Sequence, residues 1–175
     1  MPGKSTDAVT RQTISDFGAQ WTRYPDNTGY YASIAMLADI LAPFSTPDEL
    51  RGARVAEIGS GSGRIVNMLL DAGVAHVVAL EPSAAMEALR RNIAERSSRV
   101  TCVQLPGDLL PLGNFDAVLS IGVLHHIAEP SVVVRRAHDA LKPGGHFLAW
   151  VYGREGNRLY LAIATPRSEE HTSEL

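Results

Sequence analysis

From about residue 54 to residue 152, apolar and polar positions alternate between two kinds of segment. Five short runs are apolar with little polar alternation: Arg54–Ile58, His76–Leu80, Val100–Leu105, Phe115–Ile121 and His146–Tyr152. Each predicts a strand buried on both faces. The segments between them repeat their apolar residues at three- and four-residue spacing, which predicts helices. Arg64–Ala72 turns Ile65, Met68, Leu69 and Ala72 inward, and Gly73 is placed to end it. Ser83–Arg96 turns Ala85, Leu89 and Ile93 inward and leaves Arg90, Arg91 and Glu95 outside. Pro130–Leu141 points Val133, Val134, Ala137 and Leu141 inward, and Lys142-Pro143-Gly144-Gly145 predicts a turn before the last strand. Helices alternating with buried strands predict an α/β fold, a doubly wound and mostly parallel sheet. Its ligand crevice would lie at the carboxyl ends of the strands.

The segment before residue 54 is less regular. Residues 1–8 are polar, Val9–Phe17 predicts a short helix, and Gly29–Leu41 a longer one with Tyr31, Ile34, Ala35 and Ala38 on one face. Pro43 and Pro47 end it. Trp21, Tyr24, Tyr30 and Tyr31 either pack this segment onto the sheet or roof the crevice as a lid. The expected division is an N-terminal helical cap (1–50) and a ligand-binding domain (51–166).

Composition narrows the class. The 175 residues are 45% apolar and 20% charged, a soluble globular balance with length enough for a core. A net charge of −3 argues against a nucleic-acid surface built on bulk charge, so no nucleic-acid partner is expected. The single Cys102 reads as a small core residue, and there is no charged-then-apolar leader or spanning apolar run. The expected location is the cytoplasm, with no membrane partner. No Cys/His cluster implies a metal.

Candidate chemistry collects at the predicted carboxyl ends. After the first strand comes Glu57-Ile58-Gly59-Ser60-Gly61-Ser62-Gly63, a tight turn into a helix whose first amides suit a nucleotide-like ligand. After the second comes Glu81-Pro82, an acid about 20 residues past the first glycine, placed to accept from ribose hydroxyls. After the third comes Gly107-Asp108-Leu109, where Asp108 suits an exocyclic amine and Leu109 the adjoining ring. After the fourth comes Ile121-Gly122-Val123-Leu124-His125-His126. Each has a plain reading as a turn or strand end, but four at one sheet edge point to a site. The glycine spacing differs from the G-x-G-x-x-G of dinucleotide sites, and the carboxylate of Glu57 disfavours a pyrophosphate while tolerating a cationic ligand.

Glu57 to Gly63 resembles the E/D-x-G-x-G-x-G signature of class I S-adenosylmethionine-dependent methyltransferases. Glu81 matches that family's ribose acid and Gly107-Asp108 its adenine-side position. Phe115-Asp116-Ala117-Val118-Leu119-Ser120 matches its fourth strand, and Leu141-Lys142-Pro143-Gly144-Gly145 its L-x-P-G-G turn. The resemblance spans residues 51–153 and implies a Rossmann-like methyltransferase fold with S-adenosylmethionine as cofactor. It implies that Gly59, Ser60, Gly61 and Gly63 lie against the methionyl and ribose part, with Glu57 and Pro82 nearby. Glu81 would take the ribose hydroxyls, Asp108 and Leu109 the adenine, and carbonyls near Ile121 and Gly122 the methionyl ammonium. Arg64 is either a partner of the methionyl carboxylate or a solvent-facing helix residue.

The implied reaction is methyl transfer to a small-molecule acceptor, with His125 and His126 as the candidate bases if the nucleophile carries a proton. A nicotinamide-dependent oxidoreductase and a non-catalytic cofactor-binding module are the alternatives. Two further expectations concern the end of the chain. Arg158–Ala164 starts a helix, but the family's final strands are missing, which leaves the apolar fifth strand with an open edge. Residues 167–175 resemble a translated sequencing adapter and read as a non-native tail.

Overall fold

In the computed structural model, residues 29–152 are described, together with Gln12, Ile14, Ser15 and Gly18. Five strands, β1 (Arg54–Ile58), β2 (His76–Leu80), β3 (Val100–Val103), β4 (Phe115–Ile121) and β5 (Leu141–Trp150), form one sheet in the order β3-β2-β1-β4-β5. Every pairing is parallel. The helices are α1 (Ile34–Leu41), α2 (Arg64–Asp71), α3 (Met86–Asn92) and α4 (Pro130–Ala140). The chain steps outward from β1 to β2 and β3, then returns to lay β4 on the other side of β1. That reversal is the switch point at which an open α/β sheet leaves a crevice.

Alternation along each strand explains why the strands lack a polar face. Val55, Val77, Ala79 and Leu119 pack with Leu37, Met68, Leu69 and Leu89 from α1, α2 and α3 on one side. Ala56, Ile58, Val78, Leu80 and Val118 pack with Val133 and Ala137 of α4 on the other. Each fully buried aliphatic side chain of this size contributes roughly 1.5–3 kcal/mol, so both layers hold the sheet. At the amino ends of the strands, Asp116 accepts the Arg54 N–H at 2.8 Å and pairs with Lys142, tying β1, β4 and β5 together away from the crevice.

The predicted β1, β2 and β4 match residue for residue, and the differences elsewhere have local causes. Ser33 divides the expected Gly29–Leu41 helix. Its side chain accepts from the Met36 N–H and caps α1, and Tyr30–Ala32 forms a separate 3-10 turn. Consequently Leu37 and Leu41 face the core, while Tyr31 and Ile34 are exposed. The predicted Ser83–Arg96 helix is α only over Met86–Asn92 and continues as a 3-10 stretch, Ala94–Arg99. Val134 on α4 is exposed, and Ala140 takes the inward position instead.

Leu141 belongs to β5, pairing with Phe115, and His146 pairs with Ala117. Lys142-Pro143-Gly144-Gly145 therefore loops out as an irregularity within the strand, where Pro143 has no N–H to give the ladder. Among the described residues, β5 pairs only with β4.

Of the expected Val9–Phe17 helix, Gln12, Ile14 and Ser15 are helical, and its other positions lie outside the described residues. Trp21, Tyr24, the Arg158–Ala164 helix and the 167–175 tail also lie outside them.

Candidate functional site at the strand ends

The glycine turn is fixed by the strand beside it. The N–H groups of Gly59 and Ser60 both donate to the Leu80 carbonyl, at 2.8 and 2.9 Å, and the Gly63 N–H donates to Ser60 at 2.8 Å. Gly59 has φ +78°, and a Cβ there would lie 2.5 Å from Val123 Cγ2. Conformation and space both require glycine. Val123 follows β4, so this contact marks where the ends of β1 and β4 meet. Gly107 makes the matching approach after β3, since a Cβ on it would lie 2.6 Å from Ile58 Cγ2.

Glu81 is buried, with 6% of its surface exposed. Its Oε2 accepts the Gly61 N–H at 2.8 Å. Its Oε1 accepts the Ser83 N–H at 2.9 Å and the Ser83 hydroxyl at 2.5 Å. Three donors thus converge on the two oxygens of this side chain. Sequence spacing singled out the acid but not these contacts, by which it clamps the glycine turn to the entry of α3. The nearest signal was Ser83, two residues on, whose hydroxyl also accepts from the Ala85 N–H at 3.1 Å.

Glu57 lies on the Val55 side of β1 and is only 2% exposed. Burial pushes its carboxyl up to about 8, against the lowering effects of Ser60 and then Arg64, with Glu81 raising it further. Its Oε2 has no hydrogen-bond partner. The same is true of Ser120 Oγ at the end of β4, which alternation places on the opposite, Val118 side. The high value revises one sequence argument. A neutral Glu57 does not repel a pyrophosphate, so the glycine spacing carries that discrimination alone until a cation ionises the acid.

Arg64, expected either at a ligand carboxylate or in solvent, donates from Nη1 to the Tyr31 carbonyl at 2.8 Å. It fastens the segment before α1 beside the turn. Asp108 and Leu109 are exposed in the 3-10 turn Gly107–Leu109, Pro82 is half-buried, and Ile121 and Gly122 are half-buried at the end of β4. His125 and His126 end a 3-10 turn with ring centroids 3.9 Å apart. Partial burial lowers both imidazoles, and His125 lowers His126 further. Tyr152 packs on His125 and Trp150 on Tyr152, a grouping the sequence reading did not single out, although alternate aromatics at a strand's carboxyl end were the available signal. No metal-holding group of three or more His, Cys, Asp or Glu occurs among the described residues. Burial raises the Cys102 thiol, which packs against the core as expected.

Residues 56–147, more than half the chain, match the methyltransferase domain family. The chain belongs to the class I S-adenosylmethionine-dependent methyltransferases. Among curated relatives of this chain, a tRNA U34 carboxymethyltransferase of Shewanella amazonensis is 34% identical over 63% of the chain and 34% of its own length. A ubiquinone biosynthesis O-methyltransferase of Marinobacter nauticus is 25% identical over 89% of the chain and 68% of its own length. An S-adenosylmethionine-dependent methyltransferase structure from Mesorhizobium loti superposes with a TM-score of 0.51 and 32% identity, covering 57% of this chain and 46% of that one. The chain thus spans about a third of the tRNA-named relative and about two thirds of the ubiquinone-named one.

S-adenosylmethionine is the cofactor of this family, and the residues present fit it. An unpartnered buried carboxyl oxygen suits a cationic ligand, and the glycine turn above it is held in shape by the Leu80 carbonyl and by Glu81. The nicotinamide alternative is set aside. One expectation is overturned: nucleic acid cannot be dismissed as a partner class, because several relatives are named tRNA U34 carboxymethyltransferases. Net charge was the wrong instrument, since it averages over faces and says nothing about a local docking surface. No described helix is long and apolar enough to cross a membrane.

Proposed function

We propose that the protein transfers a methyl group from S-adenosylmethionine to a small-molecule acceptor. The observation that carries this reading is the unpartnered, buried Glu57 carboxyl beneath a glycine turn that Glu81 holds in shape. Gly59, Ser60, Gly61 and Gly63 would line the methionyl and ribose part, with Glu57 facing its positive charge. Glu81 and Pro82 would meet the ribose, and Asp108 and Leu109 the adenine. Ile121 and Gly122 would meet the methionyl end. The bound cofactor supplies an electrophilic methyl on a sulfonium. The chain's own part is alignment, which contributes on the order of 7–11 kcal/mol in favourable cases.

His125 or His126 would accept the acceptor's proton, because their lowered values favour the unprotonated imidazole near neutral pH. Residues 1–50 would act as a cap beside a cofactor domain beginning near residue 51, with the Arg64 contact to Tyr31 fastening the two. Cytoplasmic location belongs to the same proposal. A nucleic-acid acceptor is the second reading, favoured by the tRNA-named relatives. The test is transfer of labelled methyl from S-adenosylmethionine to a panel of phenols, amines and tRNA. Product in the small-molecule arms supports the first reading, and product only on tRNA supports the second.

A further inference from the structure

The carboxyl ends of β4 and β5 gather rings that cofactor binding does not use. Ile121 pairs with Trp150, and the Gly122 N–H donates to the Trp150 carbonyl at 2.8 Å. The turn leaving β4 is therefore fastened to the end of β5. Trp150 and Tyr152, two residues apart, meet edge-to-face with centroids 5.1 Å apart. Tyr152 meets His125 in the same way at 4.9 Å.

Ring packing of this kind is ordinary in a core, yet here Trp150 is 42% and Tyr152 65% exposed. Their position is also specific. The segment that carries His125 begins at Val123, which touches Gly59 of the glycine turn. The rings thus stand one turn of chain from the expected methyl donor. Among the described residues, the side chains that meet here are the rings of Trp150, Tyr152, His125 and His126. What the cluster offers is aromatic surface, and such surface favours another flat ring by stacking or edge contact, worth about 0.5–1.5 kcal/mol per pair beyond burial.

We infer that Trp150 and Tyr152 form the acceptor subsite and take a planar, uncharged aromatic ring whose hydroxyl is directed at His125. The inference rests on the methyl-transfer reading and names its substrate class. In the step it implies, the hydroxyl proton passes to an imidazole nitrogen. The oxygen–carbon bond forms as the carbon–sulfur bond breaks, its electron pair staying on sulfur.

The chain holds two tryptophans, Trp21 and Trp150, so quenching that vanishes in Trp150→Phe reports on this site. The experiment titrates catechol, cis-1,2-cyclohexanediol and uridine separately into the full chain saturated with S-adenosylhomocysteine. Cofactor-product binding is measured by calorimetry on the same samples. Catechol should quench saturably and the diol should not. Tyr152→Ala should weaken catechol at least tenfold, and Tyr152→Phe should restore it, with calorimetry unchanged in both. Equal quenching by the diol, no effect of Tyr152→Ala, or saturation by uridine alone overturns the inference while the cofactor reading stands. Failure of S-adenosylhomocysteine to bind overturns both.

Discussion

The Gly61 N–H donates to Glu81 Oε2 at 2.8 Å, joining the middle of the glycine turn to the end of the neighbouring strand. One acid therefore shapes the turn between two neighbouring strands. Glu81→Ala should leave the Gly61 and Ser83 donors without their acceptor, at about 1–3 kcal/mol for each buried group left unpaired. Glu81→Gln keeps an acceptor for Gly61 and should recover much of that stability. Neither variant should recover full affinity for S-adenosylmethionine. Thermal melts beside cofactor titrations separate the two effects, and a Glu81→Ala protein with wild-type melting and affinity would refute the dual role.

Gly59→Ala should be more damaging than its added methyl suggests. The new Cβ would meet Val123 Cγ2 at 2.5 Å, in a backbone conformation at φ +78° that costs an L-residue about 1–2 kcal/mol. Adding Val123→Ala removes the clash but not the strain. The double variant should regain part of the stability, and chemical denaturation of both proteins measures how much.

Glu57 gives a pH prediction whose sign follows from its raised value. The unfolded carboxyl titrates near 4.5 and the folded one at about 8. Below 4.5 both states hold the proton. Between these values the folded state keeps a proton that the unfolded state has lost, so rising pH lowers the stability of the cofactor-free protein. The lowered histidines act in the opposite direction, so the diagnostic quantity is the difference between wild type and Glu57→Gln. That difference should grow from pH 5 to pH 8 and then level off. A cationic ligand reverses the preference of Glu57, so binding S-adenosylmethionine near pH 7 should release a proton. Calorimetry in buffers of differing ionisation enthalpy reads that release directly. Arg64, Ser60 and Glu81 all act on this carboxyl, and proton release that persists in Glu57→Gln would assign it elsewhere.

If His125 or His126 removes a proton in the reaction, the rate should fall at low pH with a midpoint below the ordinary histidine value of 6.5. Replacing the responsible residue with alanine should lower kcat by about 10²-fold or more. A profile without an acid limb, and unchanged rates in both single variants, would show that alignment alone suffices.

The elements most legible in the sequence were those set by continuous burial. β1, β2 and β4 are covered on both faces, so their apolar runs had no competing reading. Errors arose where one polar side chain outweighed a period. Ser33 splits a helix by capping its second half, and Pro143 and the glycines after it put a loop inside β5. The placing of the glycine turn after β1 and of Glu81 after β2 was legible because it follows from where the strands end. The clamp made by Glu81 was not, since it depends on which way a carboxylate turns. Nor was the Trp150–Tyr152–His125 grouping, which unites the ends of two strands distant in sequence.

The central claim is that the turn at Gly59 to Gly63 binds S-adenosylmethionine, and calorimetric titration of the full chain tests it most directly. One-to-one saturable binding, abolished by Gly59→Ala and absent for NADH, is the result predicted. No saturable heat from S-adenosylmethionine, or binding that survives Gly59→Ala unchanged, would contradict it.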